Sequence, residues 1–224
     1  MSDTILSKRL IILGKNSKVW RLLKKSNCLA DLPIFPIGHN DIGNFEFLPL
    51  DQIWVLSYSR LASENYLLLK KISNINNISV FYVSSASTNV NSITQCYNYP
   101  KIKQQAQEDA VSLCNARIIT IGFFYEDVTE LPSGLTASTS VHQLAVAVRN
   151  IDNHPEQPVN LFKMVGRPFS TSFEKILYVL YGRLLNRCGG FPCLLRPIDF
   201  VLRLVGIRWY GYLYLSNKLW STTI

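Results

Sequence analysis

At 224 residues the chain suits one sizeable core with an appendage, and 48% apolar against 17% charged residues places it among globular proteins and excludes a disordered one. Cys28, Cys96, Cys114, Cys188 and Cys193 form no Cys-x-x-Cys pair, and His39, His142 and His154 are scattered. Neither a disulfide framework nor a metal site is expected, and a reducing compartment is. Of the net charge of +8, residues 160–224 carry +7, with nine Lys/Arg against two Asp/Glu, but no nucleic-acid-binding module accompanies them.

The opening MSDTILSKRLIIL has an acid at position 3 and too short an apolar run for an export signal. The greasiest stretch, Phe173 to Trp220, is interrupted by Arg183, Arg187, Arg196, Asp199, Arg203 and Arg208, so no spanning helix is expected. Both readings favour a cytoplasmic location. The Arg, Trp and Tyr mixture of the tail, RLVGIRWYGYLYLSNKLW, also suits a peripheral membrane contact, a reading ranked behind an enzyme and a binding module.

In chain order, RLIILG (9–14) reads as a buried strand ending in glycine, and KNSKVWRLLKK continues as a helix with Val19, Leu22 and Leu23 at helical spacing among lysines and arginines. The Pro/Gly/Asn-rich IFPIGHNDIGNFEFLP predicts brief strands between turns. DQIWVLSYS reads as a strand, ASENYLLLKKISN as a helix and ISVFYVSS as a strand. After the polar ASTNVNSITQCYN comes the helix PKIKQQAQEDAVSLCN, then one strand over ARIITIGFFY (116–125), the helix SVHQLAVAVRNI and the strand PVNLFKMVG. Strands alternating with helices predict an α/β fold, a Rossmann-like doubly wound parallel sheet with a small, mostly helical C-terminal region. We expect residues 1–158 to form the Rossmann-like domain, and the basic, aromatic-rich residues 159–224 a smaller part of the same folding unit.

A tyrosine and a lysine four apart on a helix share a face, where the ammonium favours phenolate and lowers the tyrosine pKa toward proton-transfer range. Two registers qualify, Tyr97 with Lys101 and Tyr99 with Lys103. The second is preferred because it keeps Pro100 in the helix's first turn, whereas a proline deeper inside costs about 3 kcal/mol. A serine at the end of YVSSAS would anchor a substrate oxygen or the tyrosine hydroxyl.

The order of these pieces resembles the extended and atypical short-chain dehydrogenase/reductase superfamily, in particular its nucleotide-sugar epimerases and dehydratases, over most of the chain. Gly14 matches the first glycine of that family's phosphate loop, Asp51 with IWVLSYS its fourth strand, and Asn65 its helix asparagine. Ser85 matches its catalytic Ser/Thr, and Tyr99 and Lys103 its Tyr-x-x-x-Lys pair. The resemblance implies catalytic Ser85, Tyr99 and Lys103. It also implies a dinucleotide held by Gly14, Lys15, Asn16, Ser17, Lys18 and Asn65, a nucleotide-sugar substrate of surface-polysaccharide biosynthesis, and a homodimer. Arg167, Arg183, Arg187, Arg196 and Arg203 are its candidates for a substrate diphosphate.

The phosphate loop departs from Gly-x-x-Gly-x-x-Gly, reading Gly14-Lys15-Asn16-Ser17-Lys18-Val19-Trp20. Ser17 would offer its amide and hydroxyl to phosphate, but Trp20 brings an indole where close helix-sheet packing favours no side chain. His142 and Gln143 stand where the family usually has acids, and Thr120 where relatives often have arginine. No acid ends the second strand, although Asp41 lies near, and Lys15 and Lys18 tilt the choice between NAD and NADP slightly toward NADP. The alternative is a catalytically inactive member of the same fold, acting as a binding or regulatory protein.

Overall fold

The computed structural model describes residues 9–90, 98–151 and 159–188, together with 197, 198, 200, 201 and 204. Tyr97, Arg196 and Arg203, and the Arg187 side chain, lie outside the described residues. A six-stranded parallel sheet runs in the order β2-β1-β3-β4-β5-β8, and a three-stranded sheet in the order β6-β7-β9. The chain divides into two compact units of interleaved segments. One comprises Met1–Ser84, Gln105–Ile119 and Val141–Val159, the other Ser85–Gln104, Thr120–Ser140 and Asn160–Ile224. No described helix is long and apolar enough to cross a membrane.

The first unit is built on β1 (Leu10–Leu13), four apolar residues buried in succession, as a strand covered on both faces requires. β1 pairs in parallel with β2 (Ile34–Ile37) on one side and β3 (Gln52–Val55) on the other, and β3 with β4 (Ser79–Ser85). Pro36 lies in β2, the sheet's edge strand, where a missing amide proton is tolerated. Of the brief strands expected between 34 and 49, β2 alone forms. Beyond it the Asp41 carboxylate accepts from the Gly38 amide at 2.8 Å, closing a turn that runs into the 3-10 segment Ile42–Asn44. Phe45 and Phe47 then pack against the core.

Helices α1 (Lys18–Lys25), α2 (Ala62–Ser73), α3 (Asn98–Cys114) and α4 (Val141–Asn150) follow the predicted pattern, and Pro100 falls in the first turn of α3. Ile11, Leu13, Ile53, Val55, Leu69 and Ile72 make the centre of one cluster, onto which α3 presents the small side chains of Ala106 and Ala110. Alanine at these positions lets the helix backbone approach the sheet. Arg9 and Asp51 join the starts of β1 and β3 through bonds of 2.9 and 2.7 Å, with Asp51 1% exposed and the guanidinium 5.2 Å from the centre of the Phe35 ring.

The expected strand 116–125 breaks at Gly122 into β5 (Arg117–Ile121) and β6 (Phe123–Tyr125), which belong to different sheets. A β-carbon on Gly122 would lie 2.3 Å from the carbonyl oxygen of Ala137, so only glycine lets the chain pass β7 (Gly134–Ser140) at this distance. The expected strand 158–166 likewise divides, into β8 (Val159–Asn160) and β9 (Lys163–Arg167). β6 pairs in parallel with β7, and β7 antiparallel with β9. Helix α5 (Ser172–Cys188) docks through Tyr178, whose hydroxyl accepts from the Leu135 amide at 3.3 Å and whose ring meets Phe169 edge-on.

Candidate functional site

The predicted site residues fall into two clusters, one in each unit. In the first unit the strand order reverses between β1 and β3, the point beyond which an open α/β sheet offers its ligand crevice. Gly14 ends β1 with φ +114°, and a β-carbon there would stand 3.1 Å from the Ser57 amide nitrogen and 3.3 Å from the Leu56 carbonyl carbon. The missing β-carbon lets the turn after β1 pack directly against the segment after β3. The turn is held by the amides of Gly14 and Lys15, which donate to the Ile37 carbonyl at 3.0 and 3.2 Å, and by Ser17, whose amide donates to the Gly14 carbonyl at 2.8 Å.

Ser17 therefore does not present its amide as expected, and its hydroxyl oxygen caps α1 by accepting from the Trp20 amide at 3.1 Å. The positive end of the α1 dipole stands beside the turn, with Asn16 and Lys18 exposed. Trp20 is 8% exposed, its indole taken into the interior. Lys15 is exposed and pairs with Asp41 at 2.7 Å, and that bond, with the Gly38 amide, holds the Asp41 carboxyl below its usual range. Its attraction for a 2′-phosphate is offset accordingly. The residues present fit a dinucleotide's diphosphate at Gly14 and the start of α1, with fewer glycines than the family loop supplies.

Asn65 is buried, and its amide is engaged with the loop after β3. It accepts from the Ser59 amide at 2.8 Å and donates to the Ser59 and Leu61 carbonyls at 2.9 and 3.3 Å. These bonds hold residues 59–61 in place after β3. Sequence reasoning missed His39 and Ser57, which hydrogen-bond between the segments following β2 and β3, with Gly14 against Ser57. Burial pushes the His39 pKa down, so the imidazole is held toward its neutral form. Only the strand order β2-β1-β3 brings these two residues together; neither lies in a motif.

The second cluster lies in the other unit. Ser85 ends β4, Tyr99 is the second residue of α3, and the two side chains are hydrogen-bonded. Lys103 follows one helical turn later, 5% exposed. Burial alone brings its pKa down to about 7. Tyr99 is 45% exposed as a whole, yet burial around its phenol raises its pKa, against the smaller opposing effect of the Ser85 bond. The direction is thus opposite to the lowering expected from the lysine, because burial outweighs the other effects at the phenol. Ser87, also missed, donates to the Ser85 hydroxyl oxygen at 2.9 Å from its hydroxyl and at 3.3 Å from its amide. These donors fix the Ser85 oxygen between the loop and Tyr99.

Two further bonds hold the ends of these elements. Ser84 donates to the Gln107 side-chain oxygen at 2.7 Å, tying the end of β4 to α3 one turn beyond Lys103. Thr120 is buried, and its carbonyl accepts from the Leu161 amide at 2.9 Å. Of the arginines considered for a diphosphate, Arg167 donates to the Leu131 carbonyl at 2.5 Å and Arg183 is exposed. Among the described residues no cluster of His, Cys, Asp or Glu is arranged to hold a metal ion.

No family model and no curated protein matches the chain by sequence. Solved structures do match it in fold. The UDP-N-acetylglucosamine 4-epimerase of Bacillus cereus is 12% identical at a TM-score of 0.52, covering 79% of this chain and 85% of its own. The dTDP-4-dehydrorhamnose reductase of Bacillus anthracis, solved with NADP, is 12% identical at 0.50, covering 76% and 78%. An NAD-dependent NDP-hexosamine 5,6-dehydratase of tunicamycin biosynthesis, TunA, is 9% identical at 0.51, covering 82% of each. What the chain shares with these proteins is the fold, a Rossmann-like parallel sheet flanked by helices.

Proposed function

We propose that this chain is an NAD(P)-dependent epimerase, dehydratase or reductase acting on a nucleotide sugar, its product feeding surface-polysaccharide assembly. The observation that carries the reading is the Ser85–Tyr99 hydrogen bond with Lys103 buried one turn along the same helix. Neighbours of the same fold with these activities support it.

In this reading Tyr99 moves a proton on and off a hydroxyl or carbonyl oxygen of the sugar. Ser85, oriented by Ser87, holds that oxygen and the phenol in one line. Lys103 is the electrostatic partner of Tyr99. Because its pKa of about 7 is set by burial alone, any negative charge developing on the phenol draws it back toward the ammonium form. The dinucleotide, held at Gly14, Asn16, Lys18 and the start of α1, supplies hydride transfer when bound.

A second reading, a non-catalytic binding or regulatory protein, is favoured by one observation: Trp20 and Ser17 replace two of the three loop glycines, and Ser17 is spent on the turn and the cap. Titration calorimetry with NAD, NADH, NADP and NADPH, followed by turnover of a nucleotide-sugar panel, separates the two. Micromolar binding of one cofactor, with turnover lost in Tyr99→Phe and retained in Tyr97→Phe, is the expected result. Absence of binding to all four overturns the enzyme reading.

A further inference from the structure

Helix α5 carries large apolar side chains on two neighbouring sides. Glu174, Leu177, Tyr178 and Tyr181, spaced three and four apart, form the side turned toward the unit, where Tyr181 is 6% exposed and Tyr178 lies against Gly134. On the other side Phe173, Ile176 and Leu180 are 68%, 56% and 53% exposed, three residues of one stripe about 10 Å long, with Val179 beside them. Large apolar side chains rarely gather on open surface without a partner. Phe200, Val201 and Leu204, in helical backbone of the same unit, are exposed as well.

Charge decides what the stripe fits. Lys175 and Arg183 are exposed on α5, while the Glu174 carboxylate accepts from the Ser170 amide at 2.9 Å and is spent as a helix cap. Residues 160–224 carry +7 of the chain's +8. A second copy docking through the same face would bring the same positive charge against it, since a two-fold interface meets itself. An anionic bilayer surface complements the charge, and its interface accepts apolar side chains without shape matching. Stable peripheral binding needs both signals together, an apolar insertion and a basic surface.

We propose that the exposed stripe Phe173–Ile176–Leu180 of α5, with its flanking Lys175 and Arg183, docks this protein on anionic lipid membranes. This goes beyond the enzymatic reading and does not depend on it.

The test is flotation of the full chain with vesicles of phosphatidylcholine alone and of phosphatidylcholine containing about one third phosphatidylglycerol, at low and high salt. Partition onto the anionic vesicles is expected to exceed that onto neutral ones at least tenfold and to fall as salt rises. The Phe173→Gln, Ile176→Gln, Leu180→Gln triple variant is expected to lose at least tenfold. Lys175→Glu with Arg183→Glu is expected to lose as much with the apolar stripe intact, so the outcome survives if the triple variant misfolds. Tyr66→Gln with Leu67→Gln, which removes exposed apolar residues of α2 in the other unit, should leave partition unchanged. Equal partition onto both vesicles, no flotation, or wild-type binding by both α5 variants overturns the proposal. So does a self-association of the wild type that the triple variant abolishes, which assigns the stripe to a second copy.

Discussion

The Gly14 α-carbon faces the backbone of Ser57 so closely that an added β-carbon would stand 3.1 Å from the Ser57 amide nitrogen. The turn after β1 and the segment after β3 thus touch main chain to main chain at the reversal of the sheet order. Gly14→Ala combines this clash with a φ of +114° that side-chain-bearing residues rarely adopt, for an expected cost of about 1–3 kcal/mol. Gly43 provides the contrast, having nothing within 4 Å of its added β-carbon, so Gly43→Ala should stay within about 0.5 kcal/mol of wild type. Urea denaturation measures both, and the proposed cofactor site adds that calorimetric dinucleotide affinity falls in Gly14→Ala alone.

Burial of Lys103 makes stability depend on pH in a definite direction. Its folded pKa of about 7 lies below the ordinary lysine value of 10.5, so between these values the unfolded chain holds a proton that the folded chain has released. Stability therefore rises with pH across this window, by at most about 1.4 kcal/mol per pH unit from this group, and its burial costs most below pH 7. Lys103→Met is expected to be more stable than wild type at pH 6 and to lose the rise between pH 7 and 10. A wild-type profile that is flat or falling over that range contradicts the buried, depressed lysine.

Much of the first unit is legible in sequence because its signals are local. β1, β3 and β4 are apolar runs, and α2 and α3 keep a helical period. Pro100, tolerated only in a first turn, marks the beginning of α3. What escapes is set by distant residues. β7, GLTASTS, carries Ser138 and Thr139 with no exposure at all, but small polar side chains leave no apolar alternation to read. The break at Gly122 depends on the Ala137 carbonyl passing it, and the His39–Ser57 contact depends on strand order. In the candidate site, spacing offers two Tyr-x-x-x-Lys registers, Pro100 favours Tyr99 with Lys103, and Ser85 comes from the family resemblance. Ser87 and the engagement of Ser17 by Gly14 and Trp20 require the folded turns.

The Arg9–Asp51 pair is a second stability determinant that no motif announces. Asp51 is 1% exposed. Burial would raise its pKa, but the Arg9 and Leu48 hydrogen bonds outweigh that effect and hold it low. A depressed carboxylate contributes stability above its unfolded pKa and loses it as pH falls through the folded value. Asp51→Asn leaves the half-buried Arg9 without its charge partner and is expected to cost about 3 kcal/mol near neutrality. The difference between variant and wild type should shrink below pH 4, where the wild-type carboxylate is itself being neutralised. Chemical denaturation across pH checks both statements.

Gly134 and Tyr178 make the strongest test of how α5 is fastened. A β-carbon on Gly134 would lie 2.4 Å from a Tyr178 ring carbon, and φ there is +88°. Gly134→Ala thus meets two penalties of different kinds, a ring clash and a backbone strain, together expected to cost about 3 kcal/mol. Tyr178→Leu removes the ring and the hydroxyl that accepts from the Leu135 amide, and should cost about 2 kcal/mol on its own. Adding Tyr178→Leu to Gly134→Ala relieves the clash and leaves the strain, so the double variant should be more stable than the sum of the singles by about 1–2 kcal/mol. Strict additivity would place the whole cost of Gly134→Ala in the backbone. The ring would then have shifted away freely, and α5 would be held by Tyr181 and Leu177 rather than by Tyr178.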